Sequence, residues 1–281
     1  MTKKIIDALN YHREIQLEAN KNAYECTCHY LKLKNGEPHP HATGIFINIQ
    51  NNHFLITAAH VIENQQIEIY VGYDKHKVTR LGGELSINQM ATNEDRDSDK
   101  IDIAIIKLDD ESIGYVKQRY KFLDYSELGI NHETKSLPYY SAIGFPASQN
   151  KFNKHKNQLN SKPFIFTTMP ADDDIYTQLN CKNFLNLIVH YDKKNVIDYS
   201  TNQKQTGPDP YGISGGGLWY VPTQLVYEGD RVKKKLVGIL TEWPIKNNKY
   251  WISTRIDVFT EIIRQKYNLK IEQSKLIKMD I

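Results

Sequence analysis

From Cys26 onward the apolar residues of this chain come in short continuous or alternating stretches separated by polar turns, which is the pattern of strands rather than of helices. The first set covers Cys26 to Leu33, Gly44 to Ile49, His53 to Thr57, Ile67 to Val71, Val78 to Ile87 and Ile103 to Leu108. A polar segment from Asp109 to about Lys135 separates it from a second set: Pro138 to Phe145, Pro163 to Thr168, Asn183 to His190, Gly217 to Val221, Lys235 to Thr241 and Lys249 to Ile256. Six strands and six strands predict two similar β units. Gln50, Asn51 and Asn52 stand between two strand-like runs, and asparagine tolerates positive φ, so local antiparallel hairpins are expected. Two helices complete the reading. The first ~22 residues carry Ile5, Ile6, Leu9, Ile15 and Leu17 without glycine or proline, as a weakly amphipathic helix would. Near the other end, Val258, Phe259, Ile262, Ile263 and Tyr267 share one helical face behind Asp257, read here as its cap.

The 281 residues suffice for about two domains. A formal net charge of +3 is too small a bias to make nucleic acid or an anionic membrane the main partner. The longest apolar runs, such as Phe54 to Ile62, fall short of the roughly 18 residues of a membrane span, and no secretion signal is evident near Met1. Cys26, Cys28 and Cys181 are too few for a disulfide framework, and their odd number favours a reducing compartment, so a cytoplasmic location is expected.

Three motifs carry chemistry. Gly212-Ile213-Ser214-Gly215-Gly216 places a serine between glycines, where a tight turn brings backbone N–H groups close to a substrate. A serine attacks poorly without a base, and the oxyanion it creates needs donors, for which the N–H groups of Gly212 and Ser214 are the natural pair. Thr57-Ala58-Ala59-His60 sets a histidine beyond two small residues at a strand end. Asp102 heads a buried run, Ile103 to Leu108, where a carboxylate is costly unless paired, and pairing with an imidazole would fix its tautomer. Asp99, three residues earlier, is the rival acid. Each piece also has a structural explanation: a glycine turn, a strand-end histidine, a paired acid. Cys26, Cys28 and His29 with His39 and His41 could suggest zinc, but Cys-x-Cys is not a usual zinc knuckle, and neither a metal nor any other cofactor is expected.

The order His60, Asp102, Ser214, with spacings of 42 and 112 residues and the serine in the second unit, resembles that of the trypsin/chymotrypsin-like serine peptidases. The likeness runs from about Tyr24 to Tyr267. Ser141 to Pro146 resembles the strand end that opens the second barrel in bacterial members, and Leu236 to Leu240 the strand that bonds the substrate backbone. The resemblance implies an all-β fold of two packed six-stranded antiparallel barrels, divided as a helical extension (1–23), first barrel (24–125), second barrel (126–256) and C-terminal helix with tail (257–281). It implies His60 as base then acid, Asp102 as its orienter, Ser214 as the acylated nucleophile, and Gly212 with Ser214 as oxyanion hole. Digestive members have Asp before the nucleophile to pair with a liberated N-terminus. This chain has Ile213, which argues against that activation and for a cytoplasmic, bacterial-type enzyme.

The expected specificity pocket involves Asp209, Thr241, Glu242, Trp243 and Trp251. The two tryptophans predict a shallow or partly filled pocket that favours small residues, and Asp209 is read as a solvated turn residue rather than a partner for basic side chains. The leading function expected is a regulated intracellular serine endopeptidase, with a protein or peptide substrate and no nucleic-acid or membrane partner. The alternative is a latent or non-catalytic module on the same fold, which binds peptides or awaits an activating partner protein. An esterase acting on small esters is a further reading.

Overall fold

A computed structural model describes residues 20–21, 23–62, 68–74, 77–88, 100–134, 139–153, 158–159, 161–198, 203–221, 234–244 and 249–278. The alternating stretches form strands in two main sheets. The first contains β1 (Thr27–Lys34), β2 (Glu37–Ile49), β3 (Asn52–Thr57), β4 (Tyr70–Asp74), β5 (Lys77–Arg80), β6 (Gly83–Ile87) and β7 (Ala104–Leu108). Their order is β5-β4-β1-β2-β3-β7-β6, and a short β8 (Leu123–Asp124) adds in parallel to β2. After β9 (Tyr139–Gly144) comes the small ribbon β10 (Phe152–Asn153) and β11 (Gln158–Leu159), then β12 (Phe164–Thr168) and β13 (Asn186–His190). A second ribbon, β14 (Val196–Asp198) and β15 (Gln203–Gln205), precedes β16 (Gly217–Val221), β17 (Lys235–Glu242) and β18 (Tyr250–Arg255). The second main sheet has six strands in the order β12-β9-β16-β17-β18-β13, all antiparallel. The architecture is therefore mostly β, in two curled antiparallel sheets, as the strand pattern predicts.

Local chemistry explains the joints. β1 turns into β2 through Asn35 and Gly36, and β2 into β3 through Gln50 and Asn51, with φ of 53°, 78°, 49° and 63°. Two-residue loops with positive φ at both positions match the twist of the flanking strands, and Asn and Gly reach that region most cheaply. Of the strand boundaries that differ from the sequence expectation, two have a visible local cause. The stretch Val78 to Ile87 is two strands, because the Gly82 N–H donates to Ser112 Oγ at 2.8 Å instead of continuing a ladder, and Gly83 turns at φ 141°. β2 starts at Glu37, seven residues before Gly44, because Pro38 and Pro40 sit beside a bulge at His41, where a strand tolerates proline.

The core has three main parts. Cys28, Tyr30, Phe46, Leu55 and Ile106 fill the first sheet's interior, and Tyr140, Leu187, Tyr191, Leu218 and Trp251 that of the second. Between them Ile45, Ile47, Phe54, Ile143, Trp219, Leu236 and Phe259 form a shared cluster. β2 sends Phe46 one way and its isoleucine neighbours the other, which is why Gly44 to Ile49 reads as a continuous apolar run.

Two short helices, α1 (Asp110–Val116) and α2 (Asp173–Gln178), lie in connections, and α3 (Ile256–Lys266) docks its apolar face on the shared cluster. Asp257 does not cap α3: the N-cap is Arg255, with no side-chain cap bond. The reason is burial. Asp257 is fully enclosed, and its Oδ1 accepts from the Asn131 N–H and the Ser274 hydroxyl, each at 2.8 Å, so it ties the tail to the body. Glu261 joins it, accepting from the Ser274 N–H at 2.6 Å and from the Arg264 guanidinium, which helps hold its carboxyl below the usual range against the opposing effect of burial. Most of the expected N-terminal helix, residues 1–19, lies outside the described residues.

Candidate active site

β3 and β7 are neighbours, with Thr57 opposite Ala104. Three residues beyond Thr57 and two before Ala104 therefore meet at one end of the first sheet. Those residues are His60 and Asp102. Ala58 and Ala59 are buried and small, so the chain can fold immediately into a single 3-10 turn, Ala59–Val61, that swings the imidazole out of the sheet. Asp102 is 3% exposed, and two hydrogen bonds offset the cost of burying it: the His60 backbone N–H donates to Oδ1 at 2.8 Å, and Nδ1–H to Oδ2 at 2.5 Å. The residue is thus held at two points, backbone N–H and Nδ1, which points Nε2 away from the carboxylate. Asp99 lies outside the described residues.

Ser214 arrives from the second unit on a strongly constrained turn. The Ile213 N–H donates to the Pro210 carbonyl at 2.8 Å, and Gly212 has φ 92° at the third position, the type II arrangement that demands glycine there. The Tyr211 carbonyl accepts from the Ala147 N–H at 2.8 Å. In a planar trans peptide the N–H opposes the C=O, so this bond turns the Gly212 N–H away from Ala147. Among the described residues neither the Gly212 nor the Ser214 N–H is given to a protein acceptor. Ile213 is 3% exposed in the apolar cluster of the second sheet, so hydrophobic packing anchors the turn.

The turn is fastened to the first sheet by Thr43, a residue that the sequence gives no reason to single out. Its N–H donates to the Ser214 carbonyl at 2.9 Å and its hydroxyl to the Gly212 carbonyl at 2.8 Å, while its Oγ1 also accepts from the Phe145 N–H at 2.9 Å. Gly215, at φ 84°, lies so close that a Cβ would fall 1.9 Å from the Thr43 carbonyl oxygen and 2.1 Å from Thr57 Oγ1. The serine turn is thus pressed on the strand end that launches His60. Among the described residues Ser214 Oγ makes no hydrogen bond.

Beside Ser214 opens a cavity of about 300 Å³. All five pocket residues named from the sequence line it: Asp209, Thr241, Glu242, Trp243 and Trp251. Trp243 and Trp251 both belong to this lining. Trp251 stacks on Tyr191, with ring centroids 3.9 Å apart, and Tyr191 itself donates to the Pro208 carbonyl at 2.8 Å. Asp209 is the exposed turn residue expected, and it pairs with Lys193 at 3.0 Å. Glu242 is bound by Lys100.

The residues weighed for zinc are dispersed. Cys26 and Cys28 are buried, and burial pushes the Cys26 thiol up to about 12. His29 stacks on Phe145, and His41 is bonded to the Val61 carbonyl. Among the described residues no three His, Cys, Asp or Glu are grouped to hold a metal ion.

The sequence model of the trypsin family matches residues 18–158, half of the chain, including His60 and Asp102. The chain belongs to the trypsin family. A solved structure that the trypsin-family chain resembles is the scabies mite inactivated protease paralogue S-D1, at 14% identity and a TM-score of 0.51, over 90% of this chain and 96% of that one. At that identity the likeness shows the shared fold alone. No curated protein sequence matches the chain. The family match ends before Ser214, so the serine's place rests on the turn described above.

Proposed function

We propose that this trypsin-family chain is a serine endopeptidase that hydrolyses peptide bonds through an acyl-enzyme. The observation that carries the reading is the serine turn, whose Gly212 and Ser214 N–H groups have no protein acceptor while Ala147 fixes the peptide between Tyr211 and Gly212. A fold shared with an inactivated paralogue says nothing about turnover, whereas two uncommitted donors beside a serine, with a histidine–aspartate pair across the cleft, suit acyl transfer. Ser214 Oγ would attack the scissile carbonyl carbon as its proton passes to His60 Nε2. Asp102 stays ionised and stabilises the imidazolium. The carbonyl oxygen takes its negative charge into the two N–H groups. On collapse the C–N bond breaks, the leaving amine takes the proton from Nε2, and water then hydrolyses the ester by the same path in reverse.

Ile213 supports an enzyme whose site is not assembled by an N-terminal ion pair, since an apolar cluster holds this position. The three free thiols support an intracellular setting. Among the described residues no helix is long and apolar enough to cross a membrane. The test is labelling of the purified chain by a fluorophosphonate, with Ser214→Ala and His60→Ala beside it. Labelling that needs both residues is expected, and Ser214→Ala should lower peptide turnover by about 10⁶, the scale of triad deletions in related chemistry. Folded protein that takes no label would overturn the proposal in favour of a latent binding module.

A further inference from the structure

Two carboxylates line the pocket beside Ser214, and they differ in how firmly each is held. Asp209 has a side chain 58% exposed, at the rim, where water and Lys193 at 3.0 Å already satisfy it. An exposed pair of this kind contributes little, so it neither attracts nor bars a substrate strongly. Glu242 is different. It sits at the end of β17, only 25% exposed, and its partner Lys100 is 23% exposed and belongs to the segment that leads into Asp102. Lys100 is itself held, because its carbonyl accepts from Asn186 Nδ2 at 2.7 Å, and Asn186 is fully buried in the second sheet. The ion pair therefore spans the two sheets beside the cleft. A substrate guanidinium that claimed Glu242 would leave the Lys100 ammonium half-enclosed without a counterion, a costly exchange.

With Glu242 held by Lys100 and Asp209 at the exposed rim, the remaining lining is mostly apolar: Pro210, Ile213, Leu240, Trp243 and Trp251, beside the hydroxyls of Tyr211, Ser214 and Thr241. The volume of about 300 Å³ equals about ten waters, room for an aromatic or long aliphatic side chain. From this geometry we infer that the pocket takes a large uncharged side chain at the cleaved bond, and that Lys100, by neutralising Glu242, is the residue that excludes basic ones. The inference rests on the peptidase reading above and names its substrate class.

The experiment compares kcat/KM of the full chain on matched fluorogenic peptides with Phe, Leu, Ala, Glu or Arg before the cleaved bond, alongside fluorophosphonate labelling. Phe and Leu should exceed Ala, Glu and Arg by at least about tenfold. Lys100→Met should raise Arg relative to Phe by about tenfold, Lys193→Ala by less than about threefold, and Lys100→Met combined with Glu242→Gln should restore the Phe preference. Chain that labels and cleaves but prefers Arg, Glu or Ala, or whose Arg to Phe ratio ignores Lys100→Met while labelling persists, would overturn the inference and leave the peptidase reading standing. Chain that neither labels nor cleaves would overturn both.

Discussion

Lowering the pH from about 7.5 to about 5 should destabilise this protein through one buried imidazole, His29. The residue is 2% exposed on β1 and stacks on Phe145, ring centroids 4.7 Å apart and planes 11° from parallel. Its Nδ1 is 3.2 Å from Ser161 Oγ, but its Nε2 is buried with no partner among the described residues, so a second proton would create an N–H⁺ with none of them to accept it. Burial first, and the Arg119 charge second, hold its pKa down at about 3 from an ordinary 6.5. The unfolded chain therefore binds a proton between those values that the native chain refuses, and stability falls as pH drops through 6.5 and levels off only below about 3. At pH 5 the unfolded side chain is protonated in about 97% of molecules, which amounts to a loss of about 2 kcal/mol, at about 1.4 kcal/mol per unit below 6.5. The assay is urea unfolding at both pH values, for wild type and for His29→Phe, which keeps a ring on Phe145 but cannot titrate. Other histidines, including His53, whose partial burial also lowers its pKa, cancel in the difference. Wild type should lose about 2 kcal/mol more than His29→Phe. A double difference near zero would mean that His29 takes up its proton in the folded state, and would refute the burial argument.

Other outcomes follow from the same packing. Gly215→Ala forces a Cβ onto the Thr43 carbonyl at a backbone angle of 84°, so labelling of Ser214 should fall by more than about 100-fold even in folded protein, measured by circular dichroism and probe kinetics. Thr43→Val removes the hydroxyl that ties Gly212 to Phe145; kcat should drop about tenfold with KM nearly unchanged, and equal changes in both would argue against a role in holding the turn. Asp102→Asn should cost about 10⁴ in kcat with little loss of stability, a figure belonging to the family that supplied the triad template, and its recovery at high pH would be the check on the tautomer argument. Ile213→Asp buries a carboxylate in an apolar cluster and should destabilise the chain by about 3 kcal/mol or more in urea unfolding, while an unchanged midpoint would show that the position is not packed as described.

The strand pattern, the antiparallel pairing near Gln50 and Asn51, and the candidates His60, Asp102 and Ser214 are legible in the chain, because side-chain periodicity and short motifs are local properties. The helix cap was misread because Asp257 is used by Asn131 and Ser274, partners 126 and 17 residues away, rather than by its own helix. The prolines at 38 and 40 hid a strand whose bulge depends on its neighbour. The pocket shows the division most clearly. Sequence placed Trp243 and Trp251 at the pocket, but the stacking of Trp251 on Tyr191, which fixes where its ring lies, is a tertiary contact. Likewise the charge of Glu242 is written in the chain, but its neutralisation by Lys100, 142 residues earlier, is not. By itself the sequence determined which chemical groups exist and which strands carry them. Tertiary structure alone decided which groups meet, because desolvation and Coulomb attraction depend on distance through space, and distance along the chain does not report it.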